Sequence, residues 1–189
     1  MPKKMTAAAL KKHLMYLSQQ DVIALICSIY QSCPDAANIL NARFNNEDYV
    51  KELMAESREK IQKEFSGRGM KVPSLSKAKK VISDFKKVSA APEDVIELKL
   101  CYVECLAEFG NSFGDMPESF YNSLESVYGD IVSSLNKLGS EDMYSAAYPR
   151  LQSIISEVDG LGYGISDSLS MMLKDDLEWQ PDSNCRTLL

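Results

Sequence analysis

Pro92-Glu-Asp-Val-Ile-Glu-Leu-Lys-Leu-Cys-Tyr-Val-Glu-Cys-Leu-Ala-Glu-Phe-Gly-Asn-Ser-Phe113 is the stretch that decides the fold class. At 100° per residue, Val95, Ile96, Leu98, Leu100, Cys101, Tyr102, Val103, Cys105, Leu106, Ala107 and Phe109 cover nearly the whole circumference of a helix over 92–113. A helix that is apolar all round belongs at the centre of a domain, with other helices packed about it. Tyr102, Leu106 and Phe109 are the expected core residues. Glu97, Glu104 and Glu108 fall together on one stripe about 40° wide.

Outward from this helix the same grammar repeats. Ser74 is the expected cap of a helix over 74–88, whose Leu75, Ala78, Val81, Ile82, Phe85 and Val88 share a face. Pro92-Glu-Asp, Pro117-Glu-Ser and Ser140-Glu-Asp each place acid in a first turn, where the helix dipole favours it. A last helix is expected near Ser166-Asp167, and Tyr148-Pro149 should end or kink the helix that contains it. Towards the N-terminus, Leu10, Leu14 and Leu17 mark a short helix. Ser18-Gln-Gln-Asp21 reads as a capping box opening a second helix, Val22 to about Ser32, which Cys33-Pro34 stops. A third covers about 35–43, and Asn46 caps a fourth running to about Phe65.

No segment alternates as a strand, so the expected fold is all-α: one domain over 1–179 with eight or nine antiparallel helices, as stacked hairpins or a compact bundle. Within it, 1–65 can form a sub-bundle, Ser66–Pro73 is the linker, 74–179 is the main array, and 180–189 is a flexible tail.

The Leu10-xxx-Leu14-xx-Leu17-Ser18 opening, the Ser74-Leu-Ser-Lys-Ala-Lys-Lys-Val-Ile-Ser-Asp-Phe-Lys-Lys87 segment and Phe120-Tyr-Asn-Ser-Leu124 together resemble a family of bacterial all-helical proteins of unknown function. The resemblance covers roughly residues 10–175. It implies a helical fold and a bacterial cytoplasmic setting, and brings no activity, cofactor or site residue with it.

Hydrophobic residues make up 45% and charged residues 25% of the chain, an ordinary globular balance. The longest apolar run, Val22 to Tyr30, is too short to span a bilayer. Lys3, Lys4, Lys11, Lys12 and His13 interrupt any signal-peptide core, so a cytoplasmic location is expected. Five cysteines without framework spacing then read as reduced thiols, and Cys185 stands one position too early for a prenylation box.

The net charge of −6 hides a split: residues 1–91 carry 16 basic and 9 acidic side chains, +7, and residues 92–189 carry 5 and 18, −13. Lys77, Lys79, Lys80, Lys86 and Lys87 oppose the apolar face of helix 74–88, with Arg68 and Lys71 just before it. This lysine face is either solvated or a candidate docking surface for an acidic partner, including head-to-tail contact with the acidic half of a second copy. Nucleic acid is a weaker expectation, because no aromatic accompanies the lysines and the pI is near 4.9.

For Glu97, Glu104 and Glu108 the leading expectation is a solvated slot, ahead of a salt-bridged internal contact and of a divalent-cation or acid–base site. Di-iron bundles need Glu-x-x-His pairs, and the chain has a single histidine, His13, expected at the surface. Cys101 and Cys105 lack two further zinc ligands and the Cys-x-x-Cys spacing of redox pairs, and read as buried thiols. Gly160-Leu-Gly-Tyr-Gly164 follows a helix rather than a strand, so it reads as a turn and not a dinucleotide loop. The expected function is therefore a non-enzymatic protein-interaction module without cofactor. A nucleic-acid-associated protein and a carboxylate-dependent metalloenzyme stand as alternatives.

Overall fold

The computed structural model describes residues 4–66, 72–89, 91–114 and 116–179, and among these it contains nine α-helices, one π-helical segment and no strand. The chain divides into two compact units, Met1–Tyr49 and Val50–Leu189.

The first unit holds α1 (Ala7–Leu14), α2 (Gln19–Ser32), α3 (Pro34–Phe44) and the start of α4 (Asn46–Phe65). The capping box forms as the sequence predicts. The Asp21 N–H donates to Ser18 Oγ at 3.1 Å and the Ser18 N–H donates to Asp21 Oδ2 at 3.3 Å. Pro34 occupies the first turn of α3, where its missing N–H costs nothing. Tyr30 donates to Asn41 Oδ1 and Tyr49 to Asn38 Oδ1, tying α2 and the start of α4 to α3. None of α1, α2 or α3 contains a buried residue.

The second unit is built around α6 (Pro92–Phe113), which has eleven buried residues, including Tyr102, Leu106 and Phe109. The rest of α4, α5 (Leu75–Lys86), α7 (Glu118–Leu138) and α8 (Glu141–Glu157) surround it. The backbone of α8 approaches α6 more closely than it approaches α7, its neighbour in the chain. Long side chains bridge that wider gap: Tyr128 donates to the Leu151 carbonyl and Tyr144 to Asn136 Oδ1. The core also holds α9 (Ile165–Met171) and the π-helical Met172–Asp176, through Ile165, Leu169 and Leu173, followed by the buried Leu177. Inside it, the Tyr102 and Ser123 hydroxyls share a hydrogen bond at 2.7 Å, and among the described residues no buried side-chain polar atom lacks a partner.

Three local details correct or refine the expectations. Ser74 stands at the N-cap of α5, but its hydroxyl meets Ser76 Oγ instead of a backbone N–H. The last helix begins at Ile165, beside the expected Ser166-Asp167, and behind Gly164 without a side-chain cap. Gly160, Gly162, Tyr163 and Gly164 all take positive φ there, and the turn delivers the buried Ile165 straight to the core. Nor does Tyr148-Pro149 end a helix, since α8 runs through it. Pro149 and Ser145, whose carbonyl loses its partner, are both exposed, so water can satisfy that oxygen while Tyr144, Ala147, Leu151 and Ile154 hold the opposite face. Of the expected linker, 67–71 lie outside the described residues, as do Arg68, Lys71, Cys185 and the tail 180–189.

Candidate functional site

The stripe of α6 expected to be a solvated slot is instead a salt-bridged seam. Arg58 of α4 and Arg150 of α8 close over it from either side. Arg150 Nε and Nη2 donate to the two oxygens of Glu104 at 2.6 and 2.8 Å, and its Nη1 donates to Glu97 Oε2 at 2.6 Å. Arg58 Nη2 takes the remaining Glu97 oxygen, Oε1, at 2.6 Å. All four carboxylate oxygens of Glu97 and Glu104 are thus occupied, and a cation or substrate would have to displace a guanidinium to reach them. The side chains keep roughly a third of their surface, so the seam is a half-buried clamp joining three helices.

The reason for the clamp is visible in the helices that supply it. Met54, Arg58, Ile61 and Phe65 follow one another at helical spacing on the inward stripe of α4. Arg150 lies among Ala147, Leu151 and Ile154 on the packed face of α8. Each arginine interrupts an apolar row and must bring its own counter-charge with it. That interruption is the sequence signal for the partners of Glu97 and Glu104.

Glu108, the third member of the stripe, is exposed and borders two clefts. One, of about 310 Å³ between α4 and α6, is lined by Gln62, Phe65, Cys105, Phe109 and Phe113. The other, of about 610 Å³ between α6 and α8, is lined by Glu104, Asn111, Arg150, Ser153 and Glu157. Burial, together with the carboxylates of Glu108 and Glu104, raises the Glu157 carboxyl above its ordinary value.

Cys101 is buried, as expected, whereas Cys105 is half-buried and faces the smaller cleft. A hydrogen bond with Cys105 and the nearby Arg58 guanidinium pull the Cys101 thiol down to about 7, against burial. The partner thiol and burial push Cys105 up. Among the described residues no three His, Cys, Asp or Glu side chains group to hold a metal ion, and the exposed His13 lies in the other unit.

The lysine face of α5 does point outward: Lys77, Lys79, Lys80, Lys86 and Lys87 are all exposed while Ala78, Ile82 and Phe85 are buried. Part of its charge is already balanced. Lys80 and Lys87 both donate to Asp84, at 2.5 and 2.7 Å, which holds that carboxyl below its ordinary value, and Lys77 lies 4.0 Å from Glu64.

The first unit presents the opposite surface. Of the sixteen large apolar side chains left exposed among the described residues, twelve lie between Met5 and Phe44, including Ile23, Leu25, Ile26, Ile29 and Tyr30 of α2. Val22–Tyr30 is too short to cross a membrane, and among the described residues no helix is long and apolar enough to do so. The missed signal lies beside it: Ala7-Ala8-Ala9 and Ala36-Ala37 give α1 and α3 too little side chain to cover α2.

Comparison with family models, curated proteins and solved structures gave no match.

Proposed function

We propose that this chain is an interaction module that binds protein through the apolar face of its N-terminal helices. The observation that carries this reading is the concentration of large apolar side chains on a unit with no buried residue in its first three helices, beside a second unit with a dense core. Large apolar side chains left exposed in such number within one unit mark a binding surface. The α6 seam supports the same reading, because its arginines and glutamates are engaged in joining helices. The lysine face is the weaker candidate, since Asp84 already shares two of its five ammonium groups.

The test is a photo-activatable side chain placed at Ile26 in the living cell, with the same probe at Lys79 for comparison. Discrete adducts from position 26 are expected. Adducts from position 79 alone would move the binding surface to the lysine face, and none from either would overturn the reading.

A further inference from the structure

We propose that Cys101 and Cys105 form a two-thiolate site for a soft monovalent ion, copper(I), reached through the cleft between α4 and α6. The two cysteines stand one turn apart on α6, and their thiols meet in a hydrogen bond. Positions i and i+4 of a helix hold their Cβ atoms about 5–6 Å apart, whereas a disulfide needs about 3.5–4.5 Å. The continuous helix therefore resists closing the pair on itself and leaves it open to a bridging atom. With metal–thiolate bonds of about 2.3 Å, as at zinc, a bridged pair of sulfurs lies up to about 4.6 Å apart, a span this spacing allows.

The ligands choose the ion. Thiolates select soft metals, and zinc takes four protein ligands in a structural site or three in a catalytic one. Among the described residues no third His, Cys, Asp or Glu groups with the pair. Copper(I) is satisfied by two thiolates in a line. Access agrees with this: Cys105 is half-buried on the wall of the 310 Å³ cleft and Cys101 is buried behind it, so the ion enters at Cys105. Phe65, Phe109 and Phe113 line the same cleft, the last two stacked at 4.4 Å, and such apolar walls limit the water around a bound ion. Binding exchanges two thiol protons for one copper(I), with no change of oxidation state, and leaves one negative charge. The Arg58 guanidinium beside Cys101 is placed to balance it.

Anaerobic titration of the full chain with copper(I), in competition with a chromogenic copper(I) chelator, tests the site. One equivalent should be retained. The triple variant Cys27→Ser/Cys33→Ser/Cys185→Ser, which keeps only the pair, should retain it equally well, and X-ray absorption should show two sulfur neighbours in a monomeric chain. Cys105→Ser should weaken retention by about a hundredfold or more, since even an outer-shell partner is worth up to that much. Its position is half-buried, so the hydroxyl can reach water, and circular dichroism checks its fold. Failure of the wild type to retain copper(I) overturns the proposal, as does unchanged retention in Cys105→Ser. Loss of the ion in the triple variant overturns it and assigns the metal to the other thiols. The sulfur count in the triple variant decides the matter even where Cys105→Ser does not fold: fewer than two neighbours, or two supplied by different chains, removes the site. Zinc held as tightly as copper(I) overturns the two-ligand assignment.

Discussion

Leu106 has no exposed surface and sits midway along the helix that every large element of the second unit touches. Truncation to alanine there leaves a cavity between packed helices that cannot collapse from one side. We expect Leu106→Ala to cost about 2–5 kcal/mol in urea unfolding, and a loss below about 1 kcal/mol would contradict the central placement of α6. Glu157 makes an opposite prediction. Its folded-state carboxyl is raised by burial and by its neighbours Glu108 and Glu104, so the charged form is the disfavoured one in the native cleft. A raised carboxyl leaves the native state binding more protons than the unfolded state, and stability from this group falls as pH rises through the elevated value. Glu157→Gln should therefore stabilise the protein slightly at pH 7. The gain, small because the group is only partly buried, should vanish as the pH drops below the ordinary glutamate value of about 4.3. Urea midpoints at both pH values, equal for wild type and variant at pH 7, would refute this. The partners of the glutamates were the part of the seam that reading the α6 wheel alone did not deliver. The stripe was legible in α6, but its neutralisation depends on Arg58 and Arg150, which lie 39 and 53 residues from Glu97. They betray themselves only as charges inside otherwise apolar rows.

Helix boundaries were legible wherever a local chemical device sets them: the Ser18–Asp21 box, Pro34, Pro92 and the Ser140 cap, which accepts from the Met143 N–H. Tertiary packing takes over from such devices at Ile165, where the last helix starts behind Gly164 without a polar cap, and at Pro149, where α8 continues. In α8 the packed residues Tyr144, Ala147, Leu151 and Ile154 flank the proline, so side-chain burial keeps the helix continuous across the missing donor. A proline in a helix interior costs about 3 kcal/mol relative to alanine, and the loss of its stiffening in the unfolded chain returns only about 0.4–1 kcal/mol. Exposure of Pro149 removes any packing penalty for its replacement. Pro149→Ala should accordingly stabilise the protein by about 2 kcal/mol, read as a higher urea midpoint. A destabilised variant would show that the helix is bent at this position and that its neighbours are fitted to the bend.

Across the whole molecule, the division between a packed unit and an uncovered one was the least legible feature, because composition and periodicity are helical in both. The charge split was plain in the sequence, yet it says little about which helices find enough apolar surface to bury. Helices of 8, 14 and 11 residues, as in α1, α2 and α3, are marginal on their own in water, and none of them contains a buried residue. Their stability must then come largely from whatever covers α2. If that cover is a partner molecule, mass action makes the stability of the first unit depend on the partner's concentration, while α6 and α7 carry a core of their own. Amide hydrogen exchange should show this as two populations. Amides of α6 should be strongly protected, and those of α2 weakly protected in dilute solution of the chain alone. If α2 is instead as protected as α6 in the most dilute sample, the first unit is stable without a partner. Its apolar surface then has no energetic need of one.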